Sequence, residues 1–241
     1  MTAVSASMID IFDDCPYRYK LSYLDRIKTA QTPHLLFGDL VHRILEQFNI
    51  KARTIRSSED TLQEKYKDLM FEIGETFFKD VDSSLFEKVK YTKLDTYNVM
   101  LFGYVKFFVE KKLYERAYEC EKNFLIDLTP NIKLRGKIDL WISPNILIDF
   151  KTSREPTPTE KLQYAPQTLI YSLTLRNEPV KFAYLYLKHL DQIKAFQIAQ
   201  DKSSIEAALV KKIRWMLSQT FFEKRGKFCA FCPYKRYCTS T

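Results

Sequence analysis

The sequence predicts an α/β fold in which a helical stretch is inserted ahead of a strand-rich core, and three observations predict it. Apolar residues recur at helical spacing as far as about Tyr118. After Cys120 the period changes to alternation, broken by turn residues at Thr129-Pro130-Asn131 and Ser143-Pro144-Asn145. A helix that begins on a proline, two more strands and a last helix then complete the chain.

Taken in order, Ser7 and Asp10 stand as in a capping box, and Ile11, Tyr19, Leu21 and Leu24 fall near helical spacing. A helix is therefore expected over 7–27, bent near Cys15-Pro16. Over 34–50, Phe37, Leu40, Val41, Ile44, Leu45 and Phe48 form one apolar stripe. Residues 51–118, rich in Lys, Glu, Phe and Tyr and free of proline, read as a helical insertion of three or so helices. Strands are expected over 124–128, 132–142 and 146–152, a helix over 166–176, strands over 181–187 and 192–198, and a helix over 203–222. No repeat, low-complexity tract or linker divides the chain, so residues 1–241 are expected to form one domain with its sheet core at 120–200.

Composition narrows the function. The 241 residues are 46% hydrophobic and 28% charged, which suits a globular chain. Its five glycines stand at least 29 residues apart, so neither a G-x-G-x-x-G turn nor a P-loop exists, and dinucleotide-fold oxidoreductases and P-loop NTPases are excluded. His34, His42 and His189 form no H-E-x-x-H motif, and no apolar run has the length of a membrane span. Asp10, Asp13 and Asp14 lie where a secretory apolar region would be. The expected home is intracellular and reducing, cytoplasmic or nucleoid-associated, for a protein encoded by a cell or by a virus. Net charge is +8, and residues 201–241 carry nine Lys/Arg against three acids. That bias suits a nucleic-acid partner, or else a solvated helix face.

The chemistry centres on the second hairpin. Ile138, Leu140 and Ile142 share one face of the first strand, leaving Asp139 on the other with Lys137 and Trp141; Ile146, Ile148 and Phe150 likewise leave Asp149 and Lys151 opposite. A three-residue loop at Ser143-Pro144-Asn145 pairs Ile142 with Ile146, Leu140 with Ile148 and Ile138 with Phe150, which sets Asp139 directly across from Asp149. Like charges with Cβ atoms about 5 Å apart repel unless a cation sits between them, and Mg²⁺ or Mn²⁺ suits carboxylate oxygens. Lys151 is aimed at the same place, where its ammonium can orient or help deprotonate a water and offset phosphate charge. The doublet is cheap by itself: Glu110 and Lys112 repeat it within an expected helix, where it is surface.

Three cysteines form Cys229-x2-Cys232-x5-Cys238, with Cys15 at the other end of the chain, and in a reducing compartment such spacing points to metal ligation before disulfides. Spacing leaves four-thiolate zinc and a 4Fe-4S cluster equally open. Cys120, between Glu119 and Glu121, reads as a structural thiol.

The run Gly136-Lys-Ile-Asp139 followed by Ile148-Asp149-Phe-Lys151-Thr resembles the D…(D/E)-x-K core of the PD-(D/E)XK nuclease superfamily, in its RecB-like branch. Gly38-Asp-Leu-Val41-His42-Arg-Ile-Leu45 resembles that branch's upstream helix, Glu121-Lys-Asn-Phe124 the strand feeding the core, and Gln167-Thr-Leu-Ile-Tyr171 its Q-x-x-x-Y helix. Two departures are Asp149 where Glu is commoner, and Pro166 directly before the glutamine. The resemblance implies a mixed sheet flanked by helices and a metal held by His42, Asp139 and Asp149, with Lys151, Gln167 and Tyr171 in the catalytic site. By residue type alone, His42 is equally a boundary histidine, Gln167 and Tyr171 a half-buried helix edge, and Glu121 either a hydrogen-bonding partner behind a ligand or a strand-end acid.

One early cysteine plus a C-terminal C-x2-C-x5-C also resembles the layout of iron-sulfur nucleases, the AddB-type domains and the Cas-family CRISPR adaptation exonucleases. That resemblance implies a 4Fe-4S cluster on Cys15, Cys229, Cys232 and Cys238, stapling residues 223–241 to the N-terminal segment. It further implies metal-dependent DNA exonuclease activity, commonly on single-stranded ends. Two other readings stand beside it: a nuclease subunit of a repair or CRISPR spacer-acquisition complex, with a helicase or integrase partner, and a non-catalytic, zinc-stapled DNA-binding protein. Phe228, Phe231, Tyr234 and Tyr237, interleaved with Lys227, Lys235 and Arg236, are expected either to stack on bases or to pack around the cluster.

Overall fold

The computed structural model describes residues 2–55, 59–153, 156–175, 180–198 and 201–239. It opens with a strand too short to leave a sequence pattern, β1 (Thr2–Val4), and Ser5 caps the following helix, α1 (Ala6–Asp14), by accepting from the Met8 N–H. The helix thus starts ahead of the expected Ser7 cap, and Ser7 lies within its first turn. The bend falls where expected. Cys15 is extended at φ −161°, since a residue before proline is pushed out of the helical region, and Pro16 then begins α2 (Pro16–Tyr19), which continues as a π-helical turn at Lys20–Leu24. Thr32 caps α3 (Pro33–Ala52), which buries its whole stripe from Phe37 to Phe48.

The insertion comprises α4 (Glu59–Phe78), α5 (Ser84–Val89), α6 (Lys93–Asp95), a π-helical turn at Thr96–Leu101 and α7 (Phe102–Glu110); its residues 56–58 lie outside the described residues. It docks on α3 through aromatic edges: the rings of Phe48, Tyr66 and Phe108 meet edge to face at 5.3 to 5.8 Å.

The remaining strands are β2 (Tyr118–Thr129), β3 (Ile132–Ile142), β4 (Ile146–Lys151), β5 (Lys181–Tyr186) and β6 (Lys194–Gln197). β2 begins earlier than expected because residues 118–123 are largely polar, and apolar alternation starts only at Phe124. Between β4 and β5 lie the unexpected single turn α8 (Thr159–Leu162) and α9 (Pro166–Ser172); the chain closes with α10 (Lys202–Ser218), capped by Asp201. α9 and α10 stop short of their expected ends, and Arg176 lies outside the described residues.

The sheet is mixed. β2 runs antiparallel along one edge of β3, while β1 (parallel, at Ile132 to Leu134) and β4 (antiparallel, at Leu140 to Ile142) share the other. β5 is parallel to β4, and β6 antiparallel to β5. Leu140, Ile142, Ile148, Phe150 and Leu185 join the core formed with α3, α4 and α7. Leu134, Ile138, Leu147, Phe182 and Tyr184 join a second core with Ile9 and Phe12 of α1, Ile170 of α9 and Ile205 and Leu209 of α10. β4 and β5 are therefore buried on both faces, which fits their nearly unbroken apolar sequence. Among the described residues no helix is long and apolar enough to cross a membrane.

Candidate active site

β3 and β4 pair as expected from Ile142 with Ile146 to Leu140 with Ile148, and there they part. The next rungs would oppose Asp139 to Asp149 and Ile138 to Phe150. Neither forms. The Phe150 N–H instead donates to Asp139 Oδ2 at 2.7 Å, while β4 keeps its ladder with β5 through Lys151. Two buried carboxylates at ladder spacing would repel, so opening the seam lowers the energy of both.

Asp139 is 7% exposed and Asp149 3%. Asp149 Oδ1 accepts from Gln167 Nε2, and Gln167 Oε1 accepts from Lys151 Nζ at 3.0 Å. A carboxylate only accepts and an ammonium only donates, so the two fix which way the Gln167 amide points. Lys151 Nζ also lies 2.7 Å from Asp149 Oδ2 as an ion pair, off hydrogen-bond alignment, so that this buried oxygen has no hydrogen bond. Pro166, at the first helical position, sets the entry of α9 and so the placement of Gln167.

From α3, His42 Nδ1 stands 3.5 Å from Asp139 Oδ1, with its ring edge-on to Phe150. Glu121 enters from β2. The pairs Cys120 with Leu140 and Lys122 with Ile138 flank it, so it sits across from Asp139, yet its φ is 51°, a left-handed conformation that costs a non-glycine residue about 1–3 kcal/mol. Its side chain is 10% exposed and ion-paired to Lys137, and its Oε2 accepts no hydrogen bond. His42, Glu121 and Asp139 each place a ligand atom within 4.8 Å of the other two. Asp149 does not join that group: its carboxylate is turned to Lys151 and Gln167. The converging donors thus differ from the expected His42, Asp139 and Asp149. Extending the first hairpin's register back from Thr129-Pro130-Asn131 would have placed Glu121 opposite Asp139, but the polar stretch before Phe124 hides that part of the strand.

The electrostatics follow from burial and crowding. Burial raises the Asp149 carboxyl above its ordinary range, Lys151 opposes this and Asp139 adds to it. Burial also raises Glu121. For Lys151 burial favours the neutral amine, but Asp149, Asp139 and Tyr186 together outweigh it and the net shift is upward. For His42 burial likewise acts downward and is overcome by the Asp139 hydrogen bond and the charges of Asp139, Asp149 and Glu121. Buried carboxylate oxygens without hydrogen bonds, beside an imidazole, form a donor set that fits a divalent cation such as Mg²⁺ or Mn²⁺.

Tyr171 stands behind the site. Its hydroxyl donates to the Lys137 carbonyl at 2.7 Å, anchoring β3 two residues before Asp139, and its ring packs edge-on against Phe124 at 5.3 Å. Gly136 makes room for this: a Cβ there would lie 2.5 Å from Phe124 Cζ and 3.1 Å from Tyr171 Cε1.

At the other end of the molecule, Cys15, Cys229, Cys232 and Cys238 line one cavity of about 370 Å³. Among the described residues no three of their sulfurs come within 4.8 Å of one another. The segment is tied back by Tyr17 N–H to the Phe222 carbonyl at 3.1 Å, and by Tyr234, buried, whose hydroxyl donates to the Ile27 carbonyl at 3.1 Å. Tyr234 is therefore structural and not free to stack on a base. Phe231 is 80% exposed, Phe228 lines the cavity, Arg236 packs over the Tyr237 ring, and the Lys227 side chain lies outside what is described. Cys120 lies on β2, half-buried against the core of the α3 face, and burial raises its thiol.

No curated protein matches the chain by sequence. Among solved structures, the crystal structure of SSO0001 is 16% identical, with 85% of this chain and 96% of that chain covered at a TM-score of 0.37. Residues 3–239 match the PD-(D/E)XK nuclease superfamily, a span that takes in both aspartate-bearing strands, α9 and the C-terminal cysteines, and the chain belongs to that superfamily.

Proposed function

We propose that the protein is a Mg²⁺- or Mn²⁺-dependent deoxyribonuclease that degrades DNA from single-stranded ends. The observation that carries this reading is the opened seam, where buried Asp139 and Asp149 stand just past the last β3–β4 rung with Lys151 fixed beside Asp149. His42 and Asp139 would hold the cation, with Asp149 across the seam. When bound, the cation acidifies a water and offsets charge on the phosphate. Lys151, held as an ammonium by Asp149, serves as a fixed positive charge for the phosphate oxygens and not as a base. Gln167 keeps Asp149 and Lys151 in register with each other, and Tyr171 keeps β3 in place.

Preference for single strands is supported by the basic 201–241 segment and by exposed Phe231. For the cysteines the reading is a 4Fe-4S cluster. The four cysteines line one cavity, as a shared metal centre needs, and the layout of one early cysteine with a C-terminal C-x2-C-x5-C is what favours the cluster over zinc. The Gly226 N–H directed at Cys229 Sγ, 3.4 Å away, is the kind of bond that steadies a cluster thiolate. Iron and sulfide analysis of anaerobically purified protein tests it; one zinc per chain would replace it.

The nuclease reading is tested by incubating end-labelled single-stranded and blunt duplex DNA with the protein in Mn²⁺, Mg²⁺ or EDTA. Cation-dependent shortening of the single strand is expected, and it should be lost in Asp149→Ala and Lys151→Ala. Wild-type cutting by either variant, or cutting in EDTA, would overturn the assignment.

A further inference from the structure

We propose that Glu121 is a ligand of the divalent cation and that Lys137 holds the cation's place beside it, an inference that rests on the metal-dependent reading of the site. Three observations carry it. Glu121, His42 and Asp139 come from three separate elements, β2, α3 and β3, yet bring ligand atoms within 4.8 Å of one another. Glu121 Oε2 is buried, accepts no aligned hydrogen bond, and is the oxygen against which the Lys137 ammonium rests, so a cation can take it only by displacing that ammonium. Among the described residues the ion pair of that carboxylate is with the Lys137 ammonium, which approaches along the diagonal of the β2–β3 ladder.

The two lysines at the site differ in how easily they can leave. Lys151 is clamped by Asp149 and by Gln167. Lys137 is 54% exposed and is paired only to Glu121 among the contacts described for its ammonium, so its long side chain can swing into solvent at little cost. A cation on His42, Glu121 and Asp139 would have three protein ligands, leaving the other positions of an oxygen-preferring ion for water and a phosphate oxygen. Cation and Lys137 then compete for Glu121. The competition has a sign that an ordinary structural ion pair lacks: neutralising Lys137 should tighten cation binding, and neutralising Glu121 should weaken it.

The test measures Mn²⁺ affinity of the full chain by calorimetry and by the loss of the free-Mn²⁺ paramagnetic resonance signal, with no DNA present. E121Q should bind about 10-fold more weakly or worse. K137M should bind several-fold more tightly. D139N is the control that removes the shared ligand, and it should bind far more weakly than wild type. E121N, whose residue type tolerates left-handed backbone, repeats the measurement so that a folding defect in E121Q does not decide the result. Wild-type affinity in both Glu121 variants, with D139N impaired, would overturn the ligand role of Glu121 and leave the nuclease reading intact. Unchanged or weakened binding in K137M would overturn the place-holding role of Lys137. Wild-type affinity in D139N would overturn the metal-dependent reading beneath both.

Discussion

The Phe150 backbone N–H donates to Asp139 Oδ2 at 2.7 Å, at the rung where the β3–β4 ladder ends. One carboxylate thereby does two jobs: Oδ2 satisfies a buried donor that lost its strand partner, and Oδ1 faces His42 at 3.5 Å. The seam can therefore open without leaving the Phe150 amide unpaired. Structure and chemistry are coupled at Asp139 in a way they are not at Asp149, whose contacts are all side-chain contacts with Gln167 and Lys151.

Two substitutions at Asp139 should separate those jobs. Asp139→Ala leaves the Phe150 N–H buried and unsatisfied, which costs about 1–3 kcal/mol, whereas Asp139→Asn keeps an acceptor oxygen for it. Both should lose cation-dependent DNA cleavage, but only the alanine variant should show a markedly lower urea midpoint. Equal destabilisation of the two would mean that the Phe150 bond contributes nothing to the fold.

Gln167 offers a second separation. Its amide bridges Asp149 and Lys151, which the proposed reaction needs in a fixed relation, so Gln167→Ala should lower kcat about 10–100-fold with little change in KM for DNA. Gln167→Glu should do worse, because it sets a third carboxylate against Asp149. Steady-state kinetics on a short single strand read both, and a change confined to KM would recast Gln167 as a DNA contact.

Much of this arrangement is legible in the sequence, and the parts that are not have physical reasons. The apolar stripe of α3 and the alternation in β3 and β4 are legible because burial imposes period on those segments, and the strand period is what puts Asp139, Asp149 and Lys151 forward, whereas His42 is put forward by the family resemblance alone. The same register logic overreaches, since it carries the ladder two rungs past Leu140 and Ile148, where charge repulsion and a side-chain bond end it. Glu121 reads equally as a hydrogen-bonding partner behind a ligand or as a strand-end acid, because residues 118–123 are mostly polar and show no apolar alternation, although Tyr118 and Cys120 do pack on the core. β1 and α8, of three and four residues, are too short to carry a period at all.

Stability should depend on pH in a direction set by the same charges. Asp149 and Glu121 have raised carboxyl pKa values in the folded protein, so the stability they contribute is present below their unfolded values and lost as pH rises through the folded ones. His42 is raised above 6.5, so its contribution is complete below that value and is lost as pH climbs through the folded value. Both act in one direction: cation-free protein should be less stable at about pH 8 than at about pH 5.5 as far as this site is concerned. Mn²⁺ offsets the ionised acids and competes with protons for them. The rise in Tm on adding Mn²⁺ should therefore be larger at the higher pH, and should shrink sharply in Asp139→Asn. An equal rise at both pH values would count against these groups as its source.

DNA binding should depend on salt through the basic C-terminal region. Residues 201–241 hold six more basic than acidic side chains, and each phosphate neutralised on a single strand contributes about 0.7 to the log–log slope of affinity against salt. Lys235 and Arg236 lie in the turn just before Cys238, where Arg236 is stacked on Tyr237 and Phe231 stands exposed nearby in sequence. If both bases track phosphates, Lys235→Glu with Arg236→Glu should flatten the slope by at least about 1.4 while leaving Mn²⁺ affinity as in wild type, because neither residue contacts His42, Asp139 or Asp149. Phe231→Ala should weaken single-strand binding by about 1–3 kcal/mol at every salt concentration, leaving the slope unchanged, since stacking releases no counterions. Fluorescence anisotropy of a labelled single strand at several salt concentrations reads both effects. A slope near zero in the wild type, or equal affinity for blunt duplex, would remove the C-terminal region from the DNA path without touching the metal site.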